Sequence, residues 1–367
     1  MVFTEDGKFE RKDLYVDGDK FVASLDEVRD EVVVDAQGRM ILPGLVDVHS
    51  HGAAGNDFCD ADPEKLKGIL AYEKSCGITS YCPTSMTLGK ERLKEIFATV
   101  TKIEPSKDLA HLIGINMEGP FISEAKKGAQ NKKYIAGPDA AFFRECNEVS
   151  QNKIKLVTLA PEEAGSEEFI KEVCDEVSIS VGHTMANYEE AKKAFDLGAD
   201  HVTHLYNAMP PFLHRDPGVV GAAADSSHCM VELISDGLHV HPGVVRTTFR
   251  IFGPERVILI SDSMRATGLP DGSYEFGGQT VYVKDKKAKL EDGTIAGSTT
   301  NLYDCMCRAI SFGIPKEQAI LAATRNPAKS IGVYDQVGSL TPGKSADFLI
   351  VDEEFQLEKV CVSGQIA

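Results

Sequence analysis

After Pro43-Gly44, short apolar runs alternate with stretches in which apolar residues recur every three to four positions. The runs are Leu45–His49, Ile78–Tyr81, Leu112–Met117, Ile154–Leu159, Val177–Val181, His201–His204, Val231–Ser235 and Val257–Ser261. Each is short and rich in branched or aliphatic residues, which predicts a strand. Between them Pro63–Ser75, Lys90–Ile103, Ser166–Glu176, Tyr188–Leu197 and Pro242–Phe252 carry helical periodicity, and Gly77, Gly198 and Gly253 fall where a helix end favours glycine. Strands alternating with helices in this number predict an α/β fold, a (β/α)8 TIM-like barrel rather than an open sheet.

The flanks read differently. Val32, Val34, Met40 and Leu42 alternate loosely around a Gln37-Gly38 turn, which predicts a small antiparallel pair of strands between Asp30 and Leu42. Phe348–Val351 and Leu357–Val362 repeat that pattern near the other end. Neither end has enough strands to bury a face alone, so residues 1–43 and 335–367 are expected to form one small β-sandwich domain around a barrel of residues 44–334. Glycine-punctuated hairpins at Tyr274–Phe276, Thr280–Val283 and Ala288–Leu290 predict an insertion at about 270–297, followed by helices at Leu302–Phe312 and Lys316–Ala323.

Composition narrows the function classes. A chain of 367 residues with 43% hydrophobic and 26% charged residues is that of a globular protein with a sizeable core. Its formal charge of -17 opposes approach to nucleic acid or an anionic membrane, so neither is expected as a partner. The nine cysteines lack C-x-x-C spacing, and Met1 to Lys12 carries charges without an apolar run. Reduced thiols and a cytoplasmic location are expected.

The chemistry collects at strand ends. His49 and His51 close the first run at a spacing that puts both imidazoles on one face. Glu118, His183, His204 and Asp262 each follow a different predicted strand, at the barrel rim where catalytic groups gather. Imidazole and carboxylate without thiolate point to a divalent metal: zinc or iron(II) first, with cobalt and manganese as alternatives. Such an ion brings the pKa of its bound water to roughly 7 and so suits hydrolysis. His201, three before His204, is expected to face away and to serve packing, and the Lys126-Lys127 and Lys132-Lys133 pairs to be solvated surface.

Several strings together resemble a known family. Leu42-Pro43-Gly44-Leu45-Val46-Asp47-Val48-His49-Ser50-His51-Gly52 is similar to the opening signature of the amidohydrolase superfamily. Met117-Glu118-Gly119-Pro120-Phe121, Thr158-Leu159-Ala160-Pro161-Glu162, Val181-Gly182-His183-Thr184, His204-Leu205-Tyr206-Asn207-Ala208-Met209, Asp236-Gly237-Leu238-His239 and Ser261-Asp262-Ser263-Met264 resemble the N-acetylglucosamine-6-phosphate deacetylases in order and spacing. The resemblance implies a metal held by Glu118, His183 and His204, with Glu118 as a bridging carboxylate and Asp262 as general acid/base. Because His49 and His51 are both present, it implies one or two ions per subunit. It further implies that Asn207, Ala208, Arg215 and His239 bind an amino-sugar phosphate, that Arg215 reaches across a homodimer, and that Gln130 stands where some members place a histidine against the acetyl carbonyl. Two alternatives stay open: the galactosamine epimer as substrate, and a sugar-phosphate-binding regulator that kept the barrel without turnover.

Overall fold

The computed structural model describes every residue except Glu31 and Ala367. Eight parallel strands form the barrel: β1 (Leu45–Ser50), β2 (Ile78–Pro83), β3 (Ile115–Glu118), β4 (Ile154–Leu159), β5 (Ser178–Val181), β6 (His201–Val202), β7 (Met230–Ile234) and β8 (Val257–Ile260). Two residue bridges complete the circle, Thr84 to Asn116 between β2 and β3 and Ser50 to Ser263 between β1 and β8. The expected third run is split. His111–Leu112 pairs with β2, and β3 starts only beyond Gly114, where a Cβ would lie 2.5 Å from the Lys155 side chain.

Helices cover the outside. Pro63–Ser75 starts on Asp62, whose carboxylate accepts from the N–H groups of Glu64 and Lys65, with Pro63 in the first turn where its missing N–H costs nothing. Its Leu66, Ile69, Leu70 and Glu73 form the buried stripe. Tyr188–Leu197 opens on a reciprocal Asn187–Glu190 capping box. The helices Ala140–Val149, Gly218–Ala224 and Arg325–Ser330 are additions to the predicted set, the first with a buried Phe142, Phe143 and Cys146 stripe. The second is seven residues long and begins on glycine, too short to show an amphipathic stripe.

Both chain ends build one six-stranded sheet in the order Phe9–Glu10, Val2–Phe3, Met40–Pro43, Phe348–Val351, Leu357–Val362 and Gln365–Ile366. Strand alternation explains its two faces. Met40, Leu42, Leu349 and Val351 join the large core shared with the barrel helices, while Phe348, Ile350 and Cys361 point the other way onto Phe21. Phe21 comes from the hairpin Tyr15–Asp17 and Lys20–Val22, which is the second layer. Among the described residues the hairpin expected between Asp30 and Leu42 does not form: only Met40–Pro43 is a strand there, and Val32 and Val33 are more than four-fifths exposed. The Gln37-Gly38 turn forms, but no neighbouring strand offers the valines a partner.

After β8, Gly272–Phe276, Gln279–Lys284 and Lys287–Lys289 make a three-stranded antiparallel insertion over the barrel mouth. Among the described residues no helix is long and apolar enough to cross a membrane. Truncating Phe21 to alanine should empty the centre of the outer layer and lower stability by about 3–5 kcal/mol. Urea unfolding checks this, and metal uptake by the folded chain should not change, because Phe21 lies on the side of the sheet away from the barrel.

Candidate metal and active site

Strand parity sets the barrel interior. Thr158 on β4, Ser180 on β5 and Thr203 just past β6 meet inside it, Thr203 Oγ1 lying 2.9 Å from Thr158 Oγ1 and 2.5 Å from Ser180 Oγ. By the same alternation His183 and His204 would point outward. Both have positive φ, 47° and 28°, as does Asp262 at 47°. These are strained conformations for residues other than glycine, and at His183 and His204 they turn into the mouth side chains that regular alternation would send outward, whereas Asp262 shares the inward parity of Ile258 and Ile260. On β1 the pairing register shifts between Asp47 and Ser50, and His49 and His51 both reach the same mouth.

The side chains converge on Glu118. Its Oε1 lies 3.1 Å from the Nε2 atoms of both His183 and His204, and 3.4 Å from His49 Nε2. Its Oε2 lies 3.4 Å from His51 Nε2. Asp262 Oδ1 lies 3.4 Å from His51 Nε2 and 3.7 Å from His49 Nε2. The result is two trios, His49–His51–Glu118 and Glu118–His183–His204, sharing one buried carboxylate.

The far ring nitrogens show which nitrogen is presented. His183 Nδ1 donates to the Lys126 carbonyl at 2.8 Å, His51 Nδ1 to the Thr84 carbonyl at 3.2 Å, and His49 Nδ1 to Glu232 Oε2 at 2.9 Å. Each bond leaves Nε2 facing the cluster. His49 Nε2 is buried without a hydrogen-bond partner, as suits a nitrogen kept for a cation. This set of imidazoles and carboxylates fits a divalent metal.

Electrostatics follow the same geometry. Burial alone would raise the Glu118 pKa, but the charges of His49 and His183 hold it well below the usual carboxylate range. Burial disfavours charge on His183, yet Glu118 outweighs it and the pKa is raised. Asp262 is likewise lowered against its burial, by the His51 hydrogen bond and the His49 charge, and so stands as a carboxylate.

Above the cluster opens a cavity of about 500 Å3. Gln130, Asn207, Ala208 and His239 line it, together with Lys126 and Lys127. The first lysine pair is therefore half-buried cavity wall rather than solvated surface, because the segment after β3 folds back over the mouth. His239 is braced by Asp236 at 2.8 Å, which raises its pKa against the opposing effect of burial. The Asn207 N–H closes a turn onto the His204 carbonyl at 3.0 Å and is not available as a donor. Phe276 of the insertion meets the His51 ring edge-on at 5.1 Å. Arg215 is exposed, lies outside the lining and sits against His214.

Two inward residues escaped the sequence reading. His201 does not face away: it is fully buried with Nε2 3.2 Å from Glu232 Oε1, because the strand ends at Val202 and the positive φ at His204 brings both histidines to one side. Glu232 itself was passed over as part of an apolar run, although a lone carboxylate within Met230–Ile234 was the available signal.

A closed parallel barrel whose strand ends gather four imidazoles and two carboxylates defines a metal-dependent hydrolase. The chain belongs to the amidohydrolase family, whose model matches residues 40–367. It is 39% identical over 334 residues to the N-acetylglucosamine-6-phosphate deacetylase of Bacillus subtilis, covering 89% of this chain and 84% of that protein. It is 31% identical over 372 residues to the N-acetylgalactosamine-6-phosphate deacetylase of Escherichia coli O157:H7, covering 100% and 97%. The crystal structure of N-acetylglucosamine-6-phosphate deacetylase from Pasteurella multocida matches with a TM-score of 0.92 at 30% identity, covering 100% of this chain and 97% of that one.

Gln130 ties the cluster to β2: its Nε2 donates to Glu118 Oε2 and its Oε1 accepts from the Thr87 N–H, each at 2.6 Å. Replacing it with leucine should strand that buried N–H and cost about 1–3 kcal/mol in urea unfolding. An unchanged midpoint would show the contact to be idle.

Proposed function

We propose that this chain hydrolyses the acetamide of N-acetylglucosamine 6-phosphate to acetate and glucosamine 6-phosphate, a step of amino-sugar catabolism. The observation that carries this reading is the Glu118 carboxylate shared by two histidine pairs, with Asp262 against one of them, on the floor of a sugar-sized cavity. Glu118, His183 and His204 would hold one divalent ion, and His49, His51 and Glu118 a second. Zinc or iron(II) is our assignment for these nitrogen and oxygen donors. When bound, a divalent ion supplies Lewis-acid polarisation of a carbonyl and lowers the pKa of water.

Asp262, lowered in pKa and so charged, accepts the proton of the attacking water at a carboxylate oxygen. The same oxygen returns that proton to the nitrogen as the C–N bond breaks, so the leaving group departs as an amine. Gln130 keeps one amide hydrogen on Glu118 and has a second for the acetyl oxygen. Ala208 and His239 line the cavity where the sugar phosphate would lie, His239 with a pKa that Asp236 raises against its burial, and the Asn207 side chain stands beside them. Arg215 extends from a loop whose Phe212 and Leu213 are each 50% exposed. In a homodimer these apolar residues would be covered, and Arg215 would serve the partner's cavity with a bidentate grip on phosphate.

The relative that deacetylates the galactosamine epimer supports one second reading, because no cavity residue named here distinguishes the two sugars. Acetate release from zinc-loaded protein should be faster, as kcat/KM, with the glucosamine substrate. The opposite order transfers the assignment to the epimer, and release from neither refutes the enzyme. Asp262→Asn should still bind zinc but lose roughly 10²–10⁴ in kcat; a rate within tenfold of wild type removes Asp262 from the proton transfers. Mixing inactive Arg215→Ala and Asp262→Asn chains should restore activity if sites are shared between subunits, and no recovery after proven subunit exchange counts against sharing.

A further inference from the structure

Glu232 sits in the middle of β7, fully buried and pointing into the barrel. One of its oxygens, Oε2, accepts both from His49 Nδ1 and from the backbone N–H of His204, each at 2.9 Å. Its other oxygen lies 3.2 Å from His201 Nε2. The carboxylate is therefore held through Oε2 by the His204 N–H just past β6, with His201 beside its other oxygen, and it holds the one ring on β1 whose opposite nitrogen is buried without a partner.

We infer that Glu232 is a positioning residue for the first-strand metal position: anchored by the His204 N–H, it fixes the His49 ring with Nδ1 protonated and Nε2 turned toward Glu118. The physical grounds are two. A neutral imidazole binds a cation through one nitrogen only when the other carries the proton, and a charged acceptor enforces that tautomer more strongly than a carbonyl does. His51 and His183 rely on backbone carbonyls for the same task, so His49 alone of these three depends on a side chain that one substitution can remove. The inference rests on the two-ion reading above, and the test separates them.

Zinc is titrated into chelator-stripped protein and both stoichiometry and affinities are read. Wild type should take up two ions. Glu232→Gln keeps an oxygen acceptor but loses the charge, and should bind the first-strand ion about 10- to 100-fold more weakly while the Glu118–His183–His204 ion changes little. In a His49→Ala background the same substitution should have no further effect. Two ions bound in Glu232→Gln with wild-type affinities, or a loss shared equally by both ions as a merely structural residue would give, overturns the inference. A wild type that binds a single ion overturns the two-ion reading and this inference with it. If Glu232→Gln does not fold, proton NMR of zinc-loaded wild type decides: a strongly downfield, exchange-protected imidazole proton should be present and should vanish in His49→Ala. Its absence from wild type overturns the inference.

Discussion

The constraint on which the site depends is the gathering of four imidazoles around one buried carboxylate. Glu118 stands between 3.1 and 3.4 Å from an Nε2 atom of His49, His51, His183 and His204, in an interior that disfavours isolated charge. A carboxylate in such a place stays charged only because positive charge surrounds it, and the imidazoles of His49, His51 and His183 point inward because other groups hold their far nitrogens. The surrounding structure supplies those groups, two carbonyls from rim loops and a glutamate from β7, while an amide from the segment that folds over the mouth holds Glu118 itself. Little of this is fold-stabilising in its own right. Polar groups drawn together inside a barrel cost desolvation that the apolar shell around them must offset.

The backbone carries part of the same cost. His183, His204 and Asp262 adopt left-handed conformations at the ends of β5, β6 and β8. Each costs of order 1–3 kcal/mol for a residue with a side chain. Regular strands would send His183 and His204 toward the helices instead, as they do Val181 and Val202. Close packing around the kinks keeps the deviation in place: a Cβ at Gly182 would lie 2.5 Å from Thr203 Cβ, so β5 and β6 approach too closely there for any larger residue.

Much of this was legible in the sequence for physical reasons. A strand buried on both sides must be apolar, so the eight runs stood out, and hydrophilic residues closing such runs had no structural purpose to serve. His49, His51, Glu118, His183, His204 and Asp262 were visible on those grounds, and family likeness added their roles. What alternation hid was the effect of its own interruption. His201 was read as facing away because a regular strand was assumed through His204, whereas pairing ends at Val202. Glu232 was overlooked because a single charge does not break an apolar run of five. Val32 to Val34 had strand-like composition without a partner strand, and composition alone does not create a pairing.

The terminal sheet carries a consequence for how the molecule comes into being. Met40–Pro43 lies between Val2–Phe3 and Phe348–Val351, so one of its neighbours emerges with it and the other only after the whole barrel has been made. Contacts of such sequence separation form late, since the intervening chain must first be ordered. During translation Met40 and Leu42 present an unpaired edge and an apolar face, the kind of surface that chaperones capture and that associates wrongly when left alone. Phe348–Val351 thus acts as a clasp: the barrel is assembled along the ribosome's schedule, and cover for the waiting edge of Met40–Pro43 arrives only behind it.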